Sequence, residues 1–195
     1  MSRFKIIAFD VFGTLVDLSQ TPKEEIREYA RHIRKPEWSY LNLPDSWLSL
    51  KPHPDVLFGL SLLAGENIKL VACSNAPVNF MTALSHNQGL YFDYIIPLEL
   101  KKVYKPNPES YKTILELFPV KPEEVLFVTA NKDFGDLEGS SNVGMVPCLL
   151  ERTDKADKNF KGVVAKDLMD LSNKIIGIDN ILSSYQKFLD ELENL

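Results

Sequence analysis

Asp10 closes a short apolar run, FKIIAFD, and Phe12, Gly13 and Thr14 follow it. Comparable groups follow three later apolar runs. Ser74 and Asn75 come after IKLVAC, Lys101, Lys102 and Lys105 after YIIPLEL, and Asn131, Lys132, Asp133 and Asp136 after VLFVTA. If each run is a strand of one parallel sheet, all four clusters lie beyond the carboxyl ends of the strands, where open sheets bind ligands. One edge then holds a carboxylate, a hydroxyl, an ammonium group and a second acid cluster. A carboxylate is ionised at neutral pH and, though a weak nucleophile, forms an ester that water later hydrolyses. A nearby ammonium group holds it ionised, and hydroxyl and backbone N–H donors hold a leaving or transferred group. Singly, these residues have ordinary explanations, as turn or capping residues and solvated lysines. Four clusters in order at four successive strand ends require a common cause.

The elements that would position them follow from the hydrophobic pattern. Five runs, FKIIAFDVF near residue 4, IKLVACS near 68, YIIPLEL near 94, VLFVTAN near 125 and MVPCLL near 145, are continuous rather than alternating. Such runs suit strands buried on both faces of a parallel sheet. Helical patterns lie between them at Pro54 to Leu63, Val78 to Leu84, Pro108 to Leu117 and Asp136 to Val143. The third opens with Pro and has Glu in its first turn, a favourable helix start. The expected fold class is therefore α/β, with a parallel sheet and crossover helices.

Residues 18–51 break the rhythm. They hold Pro22, Pro36, Pro44, Trp38, Trp47 and the charged stretch KEEIREYARHIRK, and they sit between the first strand and its crossover helix. We read them as a short cap inserted at the top of the sheet, with residues 1–17 and 52–177 forming the core. In residues 178–195, Ile178, Ile181, Leu182, Tyr185, Leu189, Leu192 and Leu195 recur in steps of three and four, an amphipathic helix that Asp179 could cap. Its apolar stripe would pack on its own sheet or, alternatively, join two subunits as a homodimer.

Composition narrows the function. The chain has 195 residues, 45% hydrophobic and 25% charged, with 22 Lys plus Arg against 27 Asp plus Glu and a net charge of −5. Charges of both signs are interspersed, which argues against nucleic acid as a partner. No apolar run approaches a membrane span of about 18 residues. The first residues, MSRFKIIAFD, lack signal-peptide anatomy. Cys73 and Cys148 both lie in apolar stretches and read as small buried hydrophobes. A cytoplasmic, reduced protein acting on a small molecule is the expectation.

Over most of residues 4–150 the sequence resembles the haloacid dehalogenase superfamily. AFDVFGTLVD, Ala8 to Asp17, is similar to the motif carrying that family's nucleophilic aspartate, here Asp10. CSNAP resembles the second motif with Ser74 in the hydroxyl position, YKPNPESY the third with Lys105 as its lysine, and TANKDFGDLEGSSNVGM the fourth with Asp136. The resemblance implies a Rossmann-like parallel sheet with a short inserted helical cap. It implies catalytic roles for Asp10, Thr14, Ser74, Lys105 and Asp136, and substrate contacts from Phe12, Gly13, Asn75, Tyr111 and Asn131. Gly13 allows close backbone approach, and the Thr14 hydroxyl can donate a hydrogen bond.

Phe12 divides the alternatives. Phosphatases of the superfamily place a second aspartate there as general acid and base, and Phe cannot transfer a proton. The 2-haloacid dehalogenase branch has an aromatic residue followed by Gly-Thr-Leu, which VFGTLVD resembles, and a halide leaves without protonation. Asn75 and Tyr111 also match that branch. Against it, Asn131 and Asp133 replace its usual serine and asparagine, and the cap is short. Asp133 and Asp136 facing Asp10, with the Phe12 carbonyl, would resemble a Mg²⁺ site. The expectation is carbon–halogen hydrolysis without a cofactor. The alternatives are a Mg²⁺-dependent phosphatase acting on a small phosphate ester and a catalytically weak member that binds a partner. Arg27, Arg31 and Arg34 read as a solvated face paired with Glu24, Glu25 and Glu28.

Overall fold

The computed structural model describes residues 2–32, 43–64, 66–153 and 155–177. Six strands, β1 (Ile6–Phe9), β2 (Lys69–Ala72), β3 (Tyr94–Ile95), β4 (Val125–Thr129), β5 (Val146–Leu150) and β6 (Val163–Ala165), form one sheet in the order β3-β2-β1-β4-β5-β6. All five pairings are parallel. The described helices are α1 (Lys23–His32), α2 (Val56–Ala64), α3 (Val78–Gln88), α4 (Leu98–Lys101), α5 (Pro108–Leu117), α6 (Asp136–Asn142) and α7 (Leu168–Ile176). Short 3₁₀ turns occupy Asp45–Ser49 and Pro122–Glu124.

The continuous apolar runs are explained by burial on both faces of the sheet. Ile7, Phe9, Leu70, Ala72, Leu126 and Val128 join one core with residues of α2, α3 and α7, including Leu60, Leu63, Met81, Leu84, Leu168 and Leu171. Ile6, Ala8, Val71, Val125 and Phe127 join a second core with Tyr111 and Ile114 of α5. Every residue of β1 and β4 is buried. At roughly 1.5–3 kcal/mol for each large aliphatic side chain buried, these central strands are the best-anchored part of the chain.

Register brings the chemistry together. Phe9 lies beside Ala72 on one side and Val128 on the other. The Asp10 amide donates to the Val128 carbonyl at 2.9 Å and the Cys73 amide to the Phe9 carbonyl at 2.8 Å. The segments after β1, β2 and β4 therefore leave the sheet at one level.

Three details differ from the sequence reading. Of YIIPLEL only Tyr94–Ile95 is strand, because Pro97 interrupts the ladder and Leu98 starts α4. The helix opening at Val78 runs on to Gln88, where Gly89 at φ +68° ends it in a left-handed turn. β6 and α7, which the pattern left unassigned, complete the sheet edge and cover α2. Between β1 and α2 the structure describes α1 and the Asp45–Ser49 turn. The expected helix at 178–195, together with Arg34 and Trp38, lies outside the described residues. No helix of the described residues is long and apolar enough to cross a membrane.

Candidate active site

Asp10, one residue beyond β1, has both oxygens engaged. Its Oδ1 accepts from Lys105 Nζ at 2.7 Å, and its Oδ2 accepts from Thr14 Oγ1 at 2.8 Å. Thr14 is itself held from two sides: its hydroxyl accepts from the Ala130 amide at 2.9 Å, and its carbonyl accepts from Arg152 Nε at 3.1 Å. Arg152 in turn grips Asp55, at the start of α2, through two bonds of 2.7 and 2.9 Å. The loop after Asp10 is thus tied to β4, to the segment after β5 and to α2. Gly13 turns the loop with φ +82°. The Gly13 and Thr14 amides donate within that loop, to the Val16 and Val11 carbonyls. The tight turn therefore takes up these two amides.

Lys105 lies between two carboxylates. Beyond Asp10, its Nζ donates to Asp136 Oδ2 at 2.9 Å. Burial works against the ammonium, but Asp10 and Asp136 outweigh it and hold the Lys105 pKa above the ordinary lysine value. The Lys105 backbone is fixed by Asn75, whose Nδ2 donates to the Lys105 carbonyl at 3.0 Å and whose Oδ1 accepts from the Lys105 amide at 2.8 Å. Asn75 therefore lines the site and also sets the position of the lysine. Ser74, buried beside it, accepts from the Ala76 amide at 3.1 Å.

Asp136 opens α6 and is buried. Its Oδ1 accepts from the Tyr111 hydroxyl at 2.6 Å, so each of its oxygens has a donor. Burial raises the Asp136 pKa, with Lys105 opposing it. The Tyr111 pKa is raised too, by burial and then by the Asp136 charge, which keeps the phenol a donor. Tyr111 is both a core aromatic, 5.0 Å from the Phe127 ring centroid, and a hydrogen-bond partner of the cluster.

The remaining expected residues separate. Phe12 is buried and lines the cavity with Asp10, Tyr29, Asn75, Lys105, Phe134 and Asp136. Asn131 and Asp133 are not among those lining residues. Asp133 is exposed, and its amide donates to Asn131 Oδ1 at 3.0 Å in a local turn. Among the described residues no group of three or more His, Cys, Asp or Glu side chains is placed to hold a metal. The expected Mg²⁺ set of Asp10, the Phe12 carbonyl, Asp133 and Asp136 thus loses Asp133, which leaves two carboxylates and one carbonyl, with an ammonium already between the carboxylates. This donor set does not fit a divalent cation well.

Comparison with known proteins agrees with this arrangement. The haloacid dehalogenase-like hydrolase family matches residues 42–130. Haloacetate dehalogenase H-2 of Moraxella sp. (strain B) is 30% identical over 118 residues, 60% of this chain and 52% of that protein. An (S)-2-haloacid dehalogenase of Xanthobacter autotrophicus is 36% identical over 113 residues, 56% of this chain and 43% of that one. Over the matched residues the chain is similar to haloacid dehalogenase-like hydrolases. It spans about half the length of these two relatives. The fold matches the L-2-haloacid dehalogenase from Xanthobacter autotrophicus with chloropropionic acid covalently bound, with a TM-score of 0.67 and 24% identity over 87% of this chain and 97% of that one. It also matches a HAD phosphatase from Thermococcus onnurineus, with a TM-score of 0.71 and 21% identity over 89% and 98% of the two chains.

Tyr29, Phe134 and Gly139 escaped the sequence reading. Tyr29 and Phe134 line the cavity. Trp47, fully buried, lies 5.1 Å from the Phe12 ring and 5.2 Å from Tyr29, and its Nε1 donates to Glu25 at 2.8 Å. Gly139 lets Tyr111 reach Asp136, since a Cβ at that position would stand 2.4 Å from Tyr111 Cε2. Nothing in the local sequence marks Tyr29. Its one signal is an aromatic residue in an otherwise charged helix. Arg27 and Arg31 do pair with Glu24, at 3.4 and 2.8 Å, on an exposed face.

Proposed function

We propose that this protein is a hydrolase in which Asp10 is the nucleophile, and that its reaction is hydrolysis of the carbon–halogen bond of a small 2-haloacid. The observation that carries the reading is the buried Asp10–Lys105–Asp136–Tyr111 chain, with Phe12 where a proton-transferring acid would otherwise stand. An Asp10 oxygen attacks the carbon bearing the halogen. A carbon–oxygen bond forms, and the halide leaves with the electron pair of the broken bond, which needs no proton. Water then attacks the resulting ester at the Asp10 carbonyl carbon. Its proton passes to Asp136, whose raised pKa suits it as an acceptor, and then to solvent, while the hydroxy acid departs and the Asp10 carboxylate returns. Lys105 offsets negative charge through both steps. The names of the relatives, a haloacetate and an (S)-2-haloacid dehalogenase, support this substrate class.

In this reading the described part of residues 18–51 is a cap over a core made of 1–17 and 52–177, and no metal takes part. The protein works in the cytoplasm; Cys73 and Cys148, free and buried, support a reducing compartment. A phosphatase reading draws support from the fold shared with the HAD phosphatase, and no step through Mg²⁺ is derived for it, because the donor set fits poorly. One screen separates the two: halide release from haloacids and phosphate release from phosphate esters, each with Mg²⁺ and with EDTA. The expected result is halide release that EDTA leaves unchanged. Phosphate release abolished by EDTA, with no halide, overturns the proposal.

A further inference from the structure

Arg152 stands two residues beyond β5, with its side chain only 11% exposed, and is not among the residues lining the cavity. Its guanidinium works in two directions. Towards α2 it grips both oxygens of Asp55, a bidentate geometry that fixes the plane of the fork. Asp55 is itself pinned, because its Oδ2 also accepts from the Leu168 amide at the start of α7, at 2.7 Å. Towards the site, the one remaining edge of the fork presents Nε to the Thr14 carbonyl at 3.1 Å. The fork is therefore set by Asp55 before it meets Thr14.

Thr14 is fully buried, and its hydroxyl carries a single proton. The Ala130 amide can only donate to that hydroxyl, at 2.9 Å, so the proton is directed at Asp10 Oδ2, at 2.8 Å. The aim of this donor depends on the backbone that carries it. The Thr14 amide makes a bond of 3.2 Å to the Val11 carbonyl within the turn, while the carbonyl side is held from outside the loop, by Arg152.

We propose that Arg152 is a positioning residue: locked by Asp55, it holds the Thr14 backbone so that the Thr14 hydroxyl points at Asp10 and fixes the carboxylate for attack. The consequence for rate rests on the function proposed above, in which Asp10 is the nucleophile; the hold on Thr14 does not. A carboxylate that turns away from its line of attack loses rate rather than binding.

The test uses the full chain as wild type, Arg152→Lys, Thr14→Val and the two combined. Lysine keeps the charge opposite Asp55 but has no planar fork to reach Thr14 as well. Should Arg152→Lys fail to fold, Arg152→Gln with Asp55→Asn removes the pair together and leaves no lone buried charge. Hydrogen exchange followed by NMR compares the Ala130 amide, which reports the Thr14 hydroxyl directly, with the Phe9 and Val128 amides of the central strands. Halide release from 2-chloropropionate gives kcat and KM. In Arg152→Lys the Ala130 amide should exchange about tenfold faster relative to the strand amides, and kcat should fall about tenfold or more with KM little changed. Added to Thr14→Val, the same substitution should cost little further rate, because it acts through Thr14. An unchanged exchange ratio, an unchanged kcat in an enzyme that releases halide, or fully additive losses with Thr14→Val each overturn the positioning role. Faster Ala130 exchange in a chain whose wild type releases no halide upholds the hold on Thr14 and overturns the dehalogenase reading.

Discussion

The two walls of the site are built on different principles. Below, at the carboxyl edge of the sheet, Asp10, Thr14, Lys105, Asp136 and Tyr111 form an unbroken set of buried hydrogen bonds between 2.6 and 2.9 Å, anchored on the most buried strands. Above, between β1 and α2, Tyr29 of α1 and Trp47 of the Asp45–Ser49 turn meet Phe12 through ring contacts, and the Trp47 bond to Glu25 joins the turn to α1. Directional bonds in a low-dielectric interior fix atoms to fractions of an ångström. Ring packing is less directional and fixes a surface more than single atoms. The sheet edge thus carries the polar groups of the site, and the segment above it carries the aromatic wall.

The sharpest way to break the lower wall is at its centre. Asp10→Asn should reduce halide release by several orders of magnitude with little change in fold, since the nucleophile itself is lost. Steady-state kinetics beside circular dichroism check this, and near wild-type turnover in a folded variant would refute the assignment. Next in size is Gly139→Ala. The added methyl must push Tyr111 away from Asp136, so kcat should fall about tenfold or more with KM little changed, because a hydrogen bond to a charged group is worth about 1.5–3 kcal/mol. Unaltered kcat would show that Tyr111 is only a core residue.

A smaller effect tests how the nucleophile loop is supported. Burial raises the Asp55 pKa, but its bonds from Arg152 and the Leu168 amide outweigh that and hold it below the ordinary carboxylate value. A carboxylate with a lowered folded-state pKa stabilises the fold above its unfolded value of about 3.9 and loses that contribution as pH falls through the folded value. Asp55→Asn should therefore lower the melting temperature at pH 7, and the gap to wild type should close as pH falls below about 4. A gap that does not change with pH would assign the effect to packing. The smallest effect is expected on the upper segment. Glu24→Gln breaks exposed pairs with Arg27 and Arg31, and the melting temperature should stay within error. A clear drop in melting temperature would mean that these surface pairs hold α1 in place.

The amino-acid sequence by itself determined the strands β1, β2, β4 and β5, the start and end of α5, and three members of the buried polar cluster, Asp10, Lys105 and Asp136. Continuous apolar runs permit only a two-sided burial, and the residues after each run must emerge at one edge. Short, low-contrast elements were not legible: Val163–Ala165 is too brief to show a pattern, and Leu98–Lys101 continues an apolar run whose strand ends at Pro97. Tertiary structure alone decided which neighbours in sequence become neighbours in space. Asp133 and Asp136 are three residues apart, yet the left-handed turn at Gly135 leaves the first in solvent and starts a helix that buries the second. Tyr29 faces the nucleophile only because the segment after β1 folds back across Phe12, and Gly139 matters only because Tyr111 crosses it. These contacts join residues 17 to 28 positions apart, and no local periodicity encodes which ring a chain will meet when it returns.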